Sequence, residues 1–436
     1  MKSARFIETA AVIMAIWLFT ACTVYTNYFC CTSVESCAQF PGQPITNCTD
    51  PDRPYCDEDG KYRGLRHACI PDPAICSDPS DCSEPSRPFC VNERCVECID
   101  TSTCSATAPF CDPSEHSCRA CVADTECASD VCDRDIGACV AESVVIYLSP
   151  SGLGSGTCTR TQPCNTFALG LVQVNGTRNV IKVGRGTYSG QILIDNVTVT
   201  VLADNATIQP NGMDLTALTV TNAANVTIVG LTVNGATGRL DGMGIECNGS
   251  STLRLHRAIV TGNGGGGVRI VTCQYSLVNN IIVRNGRSTS PASAYGGVQI
   301  VSIAMPELHE FSFNTITNNT GGGGAVTGVN CSNVLVPLTF TNSIVYGNTV
   351  SGPGTQVDGA QCAWTYSNIG PEPATGLGNV NMDPLFVNSS LGDFHLLLNS
   401  PSRNKGDPAA TLAVDIDFDR RPCDDRLDMG ADEVCP

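Results

Sequence analysis

Apolar residues follow three different rules along the chain. Between Ala10 and Ala21 they run almost unbroken, and from Cys30 to about residue 142 they are sparse and cysteines take their place. After Val144, short β-branched runs alternate with Gly/Asn turns, as in Val226-Thr227-Ile228-Val229-Gly230-Leu231-Thr232-Val233-Asn234-Gly235 and Ile281-Ile282-Val283-Arg284-Asn285-Gly286. Runs with helical spacing are nearly absent, so this part reads as all-β.

The β-branched runs recur. Anchoring on the apolar residue before each Asn turn gives Val233, Val260, Val283, Ile316 and Val345, with gaps of 27, 23, 33 and 29 residues. A strand-rich repeat of that length is one coil of a parallel β-helix. A coil cannot bury its inward side chains alone, whereas stacking at a strand spacing of ~4.8 Å builds a continuous apolar column. Asn at the turn tolerates the left-handed region, redirects the chain and can stack as an amide ladder with the next coil.

The cysteines repeat on a shorter period. Cys76-x5-Cys82, Cys90 and Cys95 match Cys98-x5-Cys104, Cys111 and Cys118, then Cys121-x5-Cys127, Cys132 and Cys139. A looser first copy uses Cys37, Cys48, Cys56 and Cys69, and Cys30 and Cys31 stand outside it. With so little apolar surface between them, covalent staples must replace a core. The chain has 27 Cys and only 5 His, none at zinc-finger spacing, which favours disulfides and an oxidising compartment over zinc. Of the later cysteines, Cys158 and Cys164 are close in sequence, Cys247 and Cys273 lie about one coil apart, as do Cys331 and Cys362, and Cys423 and Cys435 lie in the tail. Disulfides are expected for these four pairs, the stacked ones at similar positions on successive coils; buried free thiols are the alternative.

At the start, Lys2 and Arg5 precede the apolar stretch, which is too short to span a bilayer as a helix and ends in Phe19-Thr20-Ala21-Cys22. This resembles the lipobox of bacterial lipoproteins, although Phe19 stands where that family prefers Leu. The resemblance implies removal of residues 1–21, lipidation of Cys22 and a membrane partner through that lipid; simple secretion and an uncleaved anchor are the alternatives. The expected organisation is a signal peptide (1–21), a lipid-anchored linker (22–29), a cysteine-rich repeat module (30–142), a β-helix (144–380) and a tail capping it (381–436), lipid-anchored at the outer membrane of a cell envelope or secreted.

Three further resemblances bear on the chain. The cysteine repeats resemble those of surface lipoproteins from predatory and social soil bacteria. The segment Ile181-Lys182-Val183-Gly184-Arg185-Gly186-Thr187-Tyr188, followed by Ile192-Leu193-Ile194, resembles the first coil of pectate-lyase-like right-handed, single-stranded parallel β-helices. The end resembles the choice-of-anchor tail of bacterial surface β-helix proteins, through Asp383-Pro384-Leu385-Phe386, Gly392-Asp393-Phe394-His395-Leu396, Asp415-Ile416-Asp417-Phe418-Asp419-Arg420 and Asp428-Met429-Gly430-Ala431-Asp432-Glu433.

That fold hosts pectin-cleaving enzymes, but fold does not fix function. A lyase of the type needs clustered carboxylates for calcium and an Arg or Lys base. Asp241 and Glu246 with Arg239, Arg254, Arg257 and Arg269 are the candidates, and solvated rim is the simpler reading. Polygalacturonase motifs are absent, since Arg269-Ile270 is followed by Val271. His256 lacks a carboxylate nearby in sequence, His309 has only Glu307 and Glu310 beside it, and both read as surface histidines. Asp415, Asp417 and Asp419 could hold a structural calcium ion on one strand face, or else pair Arg420, Arg421 and Arg426 in a cap; no other cofactor is expected. Asp130, Asp133 and Asp135 read as a solvated acidic turn. A net charge of −17 disfavours nucleic acid and anionic lipid. The expectation is a non-catalytic surface protein that binds a polysaccharide or a protein or has a structural role, with a divergent polysaccharide lyase or glycoside hydrolase acting on acidic glycans as the alternative.

Overall fold

The computed structural model describes residues 55–57, 68–70, 78–82, 84–211, 216–235, 242–288, 295–301, 309–322, 326–350 and 355–435, together with Cys48, Cys76 and Ile303. The signal segment, Cys22, Asp241 and Arg239 lie outside these residues. The chain divides into two compact units: the cysteine-rich part through Cys132 with Ile136–Cys139, and a second unit formed by Asp133–Asp135 and the chain from Val140 onward.

In the first unit every complete repeat joins its first cysteine to its third and its second to its fourth. The bridges are Cys76–Cys90 with Cys82–Cys95, Cys98–Cys111 with Cys104–Cys118, and Cys121–Cys132 with Cys127–Cys139. Cys48–Cys69 is the second-to-fourth bridge of the looser copy. The two bridges of a repeat pin a 3-10 turn, such as Pro79–Asp81, to a hairpin, such as Phe89–Val91 with Arg94–Val96. Asp78 and Asp100 cap two of these turns by accepting from the backbone N–H of Ser80 and Ser102. Asn92 and Glu93 both take positive φ at the hairpin tip, the geometry a two-residue turn between twisted strands requires.

The second unit is a parallel β-helix of three faces. One coil runs through Thr252–His256 on the first face, Ile259–Thr261 on the second and Val268–Val271 on the third, then returns to the first face at Gln274–Val278. Each strand pairs in parallel with its counterpart one coil later. The first two faces merge through the long strands Thr198–Gln209 and Asn225–Asn234, and the third face is a separate sheet of seven strands. Inward residues stack in columns, one of which runs Ile228, Leu255, Leu277, Phe311, Phe340 and Trp364. Phe311 stacks on Phe340 at 4.5 Å, and Trp364 closes the row edge-on at 4.9 Å.

The corners repeat a two-residue device. Leaving the first face, Arg257, Asn279, Phe313, Asn342 and Tyr366 all have positive φ, and the next strand starts two residues after each. Leaving the second face, Gly262, Arg284, Asn318 and Gly347 also have positive φ. The following residue carries a polar ladder: Asn263, Asn285, Asn319 and Asn348 are buried, and each donates its side-chain amide to the next side chain in the row. The turn and the ladder are thus split between neighbours, and the left-handed residue is often bulky. Such residues tolerate about 1–2 kcal/mol of backbone strain because the stack over-determines them.

The coil register differs from the anchors read in the sequence at one point. Val260 pairs with Ile282, not Val283, and Ile282 pairs with Ile316. Both Ile282 and Val283 are apolar, so alternation cannot choose between them; the ladder can, because the ladder Asn always stands three residues after the inward residue. A one-residue offset also applies nowhere else among Val233, Val260, Ile316 and Val345.

The eight cysteines of this unit are joined as Cys158–Cys164, Cys247–Cys273, Cys331–Cys362 and Cys423–Cys435. The one-coil pairs do not sit at the same level of successive coils. Cys247 is in register with Ile270, and Cys273 lies three residues further, across the corner into the first face. A diagonal tie with Cα atoms 6.0 Å apart spans the corner, where no backbone ladder reaches.

The ends and one flank are covered differently. The short helix Phe167–Val172, capped by Thr166, inserts Phe167 into the first coil, with the ring of Tyr188 at 5.4 Å. Residues 377–382 pair with the last coil through Leu377 and Val380. The tail beyond them was expected over the open end; instead it lies along the flank. Gly430 donates to the Asn342 carbonyl, Ala431 to Thr315 Oγ1, and Asn279 to the Val414 carbonyl, three successive coils apart. Ile344 and Tyr346 on that flank need apolar cover, which Leu396, Met429 and Val434 supply.

Candidate functional site

Outward residues on the first face stand in columns because the strands are in register. One column runs Thr227, Arg254, Ser276, Glu310. His256, two residues after Arg254, faces the same way. Arg254 donates to Asn225 Oδ1 at 2.9 Å, and Ser276 donates to Glu310 Oε2 at 2.7 Å. His256 lies 3.0 Å from Ser276 Oγ through Nε2 and 2.6 Å from Asp135 Oδ2 through Nδ1.

His256 is therefore not a surface histidine: its side chain is only 16 % exposed. Burial lowers its pKa below the ordinary value, which keeps the ring neutral. The carboxylate that orients it stands 121 residues away in sequence, which local inspection cannot find. Asp135 is likewise no solvated turn residue, since it also pairs with Arg257. His309 packs its ring at 4.8 Å from Tyr275 and is not fully exposed.

Beside Glu310 opens a cleft of about 520 Å³. Its floor is the outer surface of the first face, with Glu310, Ser312, Thr339 and Thr341, and its wall is the tail segment Asp407 and Ala409–Ala413. Hydroxyls, two carboxylates and small apolar side chains thus line one groove. A pocket of about 620 Å³ in the cysteine-rich unit is lined by Arg87, Glu93, Arg94, Glu97, Glu115 and His116, a mixture that selects neither sign of charge.

Among the described residues, the lyase candidates Glu246, Arg254, Arg257 and Arg269 do not converge. Glu246 and Arg269 form an ion pair of 2.9 Å on the third face, where Arg269 also reaches Gln299. Arg254 points from the first face, and Arg257 is buried at a corner, donating to the Asp415 carbonyl with its guanidinium over the Phe418 ring.

The acidic tail is a set of backbone caps. Asp415 is buried, and its Oδ1 accepts from the N–H of Asp417 and Asp419 while Oδ2 accepts from that of Glu433. Residues 415–419 form a turn between the bridged Val414 and Arg420, so Asp415, Asp417 and Asp419 do not share a strand face. Asp428 and Asp432 cap Val434 and Leu396 in the same way. Arg421 is buried against Glu433 at 3.5 Å. Burial lifts the carboxyl of Asp432 to about 6 and that of Glu433 to about 7. Asp417 reaches His395 Nε2 at 2.8 Å, and Asp393 takes Nδ1 at 2.6 Å. Those partners, Asp417 first, raise the imidazole to about 10, so it is cationic at neutral pH. His395, Asp417 and Asp432 place one donor atom each within 4.8 Å of one another, with His395 hydrogen-bonded to Asp417 and Asp432 holding the Leu396 N–H.

No protein-family model and no curated protein matches the chain. Among solved structures it is similar to the crystal structure of pectate lyase Pel9A, at 15 % identity and a TM-score of 0.35, over 67 % of this chain and 97 % of that one. The parallel coils described above stand on their own geometry, and no activity follows from this likeness.

Proposed function

We propose that this chain is an extracytoplasmic envelope protein that binds a neutral or basic glycan along the first face of its β-helix. The cleft beside Glu310 carries the reading. Hydroxyls of Ser312, Thr339 and Thr341 suit sugar hydroxyls, and Ala409, Ala410 and Ala413 offer a small apolar wall. Glu310 and Asp407 in the same groove repel uronates, which argues against pectate-type substrates. The dense disulfides support an oxidising compartment. A lipid on Cys22 would hold the protein at the membrane.

A glycan array read for binding and cleavage tests this. Retention of neutral or amino sugars, lost in Ala410→Trp, is expected. Release of unsaturated products from pectate or alginate would overturn it. Mass spectrometry of the mature protein from membranes tests the anchor, and an unmodified N-terminus elsewhere than Cys22 would remove it.

A further inference from the structure

We propose that Ser276 is the nucleophile of a carboxylic-ester hydrolase site on the first face, with His256 as its base and Asp135 orienting His256. Ser276 Oγ lies 3.0 Å from His256 Nε2, and His256 Nδ1 lies 2.6 Å from Asp135 Oδ2. Nucleophile, base and carboxylate in that order are what acyl transfer from a hydroxyl requires. Ser276 and His256 project outward from adjacent strands in fixed register. Asp133–Asp135 belongs to the same compact unit as the coils. Asp135 is itself held by Arg257, which is anchored on the Asp415 carbonyl at 2.9 Å. With a neutral ring, Nδ1–H donates to Asp135 and Nε2 is free to take the Ser276 proton.

The Ser276 hydroxyl has one proton and two acceptors, His256 Nε2 and Glu310 Oε2 at 2.7 Å. Glu310 is exposed and acts as a competitor for that proton. An ester seated at the mouth of the cleft would displace it and return the hydroxyl to His256.

In the reaction, Ser276 Oγ bonds to the ester carbonyl carbon as its proton passes to His256 Nε2. Arg254, opposite Ser276 in register, donates to Asn225 Oδ1 on the other side of its strand and would have to swing toward Ser276 to take the oxyanion. The carbon–oxygen bond to the alcohol then breaks, and the alcohol leaves with the proton from His256. Water, deprotonated by His256, cleaves the acyl-serine, releases the carboxylate and restores Ser276. The site lies on an open strand face, so it suits a short O-acyl group carried on a polymer better than an engulfed small molecule. The inference goes beyond glycan binding and does not depend on it.

The test is a fluorophosphonate probe on the full chain, with the adduct located by mass spectrometry, and turnover of p-nitrophenyl acetate. An adduct on Ser276 is expected. Label and turnover should vanish in Ser276→Ala, fall about 100-fold or more in His256→Gln, and rise in Glu310→Ala as the competitor is removed. Asp135→Asn should cut turnover while leaving strand content unchanged by circular dichroism. Wild-type protein with no adduct on Ser276, or an adduct elsewhere that accounts for the turnover, overturns the proposal. That readout stands even where a variant fails to fold.

Discussion

The two units solve one problem in opposite ways. Each cysteine-rich repeat is too short to bury a core, so it closes loops of 11 to 14 residues twice over. In the chain-entropy model each such loop contributes on the order of 3 kcal/mol, by restricting the unfolded chain. A β-helix coil is also unable to fold alone, but it borrows burial from the coil above. Its bridges across 26 and 31 residues tie corners of a stack that packing and side-chain ladders already hold. Crosslinks are the structure in the first case and an accessory in the second.

Reduction should separate the two most sharply. In a thiol reductant, hydrogen exchange is expected to show loss of all protection from Cys76 to Cys139 while inward strands such as Val268–Val271 stay protected. Concerted loss in both units would break the contrast. Next in size is Phe340→Ala, which removes the middle of the aromatic row and should cost about 3–5 kcal/mol in chemical unfolding of the β-helix. Asn319→Ala should cost about 1–3 kcal/mol, because it strands the amide of Asn285 and the backbone N–H of Asn285, both of which end on Asn319 Oδ1. A neutral outcome would mean that the ladder only follows the packing.

The smallest effect is on pH. Asp432 and Glu433 have folded pKa values raised to about 6 and about 7. Their native state therefore binds more protons than the unfolded chain between the two sets of values. That contribution is complete below the unfolded pKa and is lost as pH rises through 6 and 7. His395, raised to about 10, adds a loss in the same direction at higher pH. Thermal unfolding of the β-helix should thus come at lower temperature at pH 8 than at pH 5, and a rise would mean that the Arg421 pair outweighs burial.

Most of the coil architecture was legible because its signal is local: β-branched runs, a turn, then another run. The register slipped only where Ile282 and Val283 offered two adjacent apolar residues. Features made by distant segments were not legible. Asp135 and His256 are separated by 121 residues, and nothing in either neighbourhood announces the other. The tail motif was visible as a motif, but Asp415, a candidate calcium ligand in sequence, serves in space as a backbone cap, as do Asp428 and Asp432. The helix Phe167–Val172 is six residues long, too short for periodicity to register.

Gln356 gives the amide row its terminus. Its Oε1 accepts from the side chain of Asn348, and its Nε2 turns back to the Asn348 carbonyl at 2.8 Å. A row of identical rungs has no inherent length, and its last member would present an unanswered carboxamide to any molecule offering the matching half. By answering its neighbour twice, Gln356 acts as a chain terminator in the polymer chemist's sense. It leaves that row nothing with which to template end-to-end growth between copies of the protein.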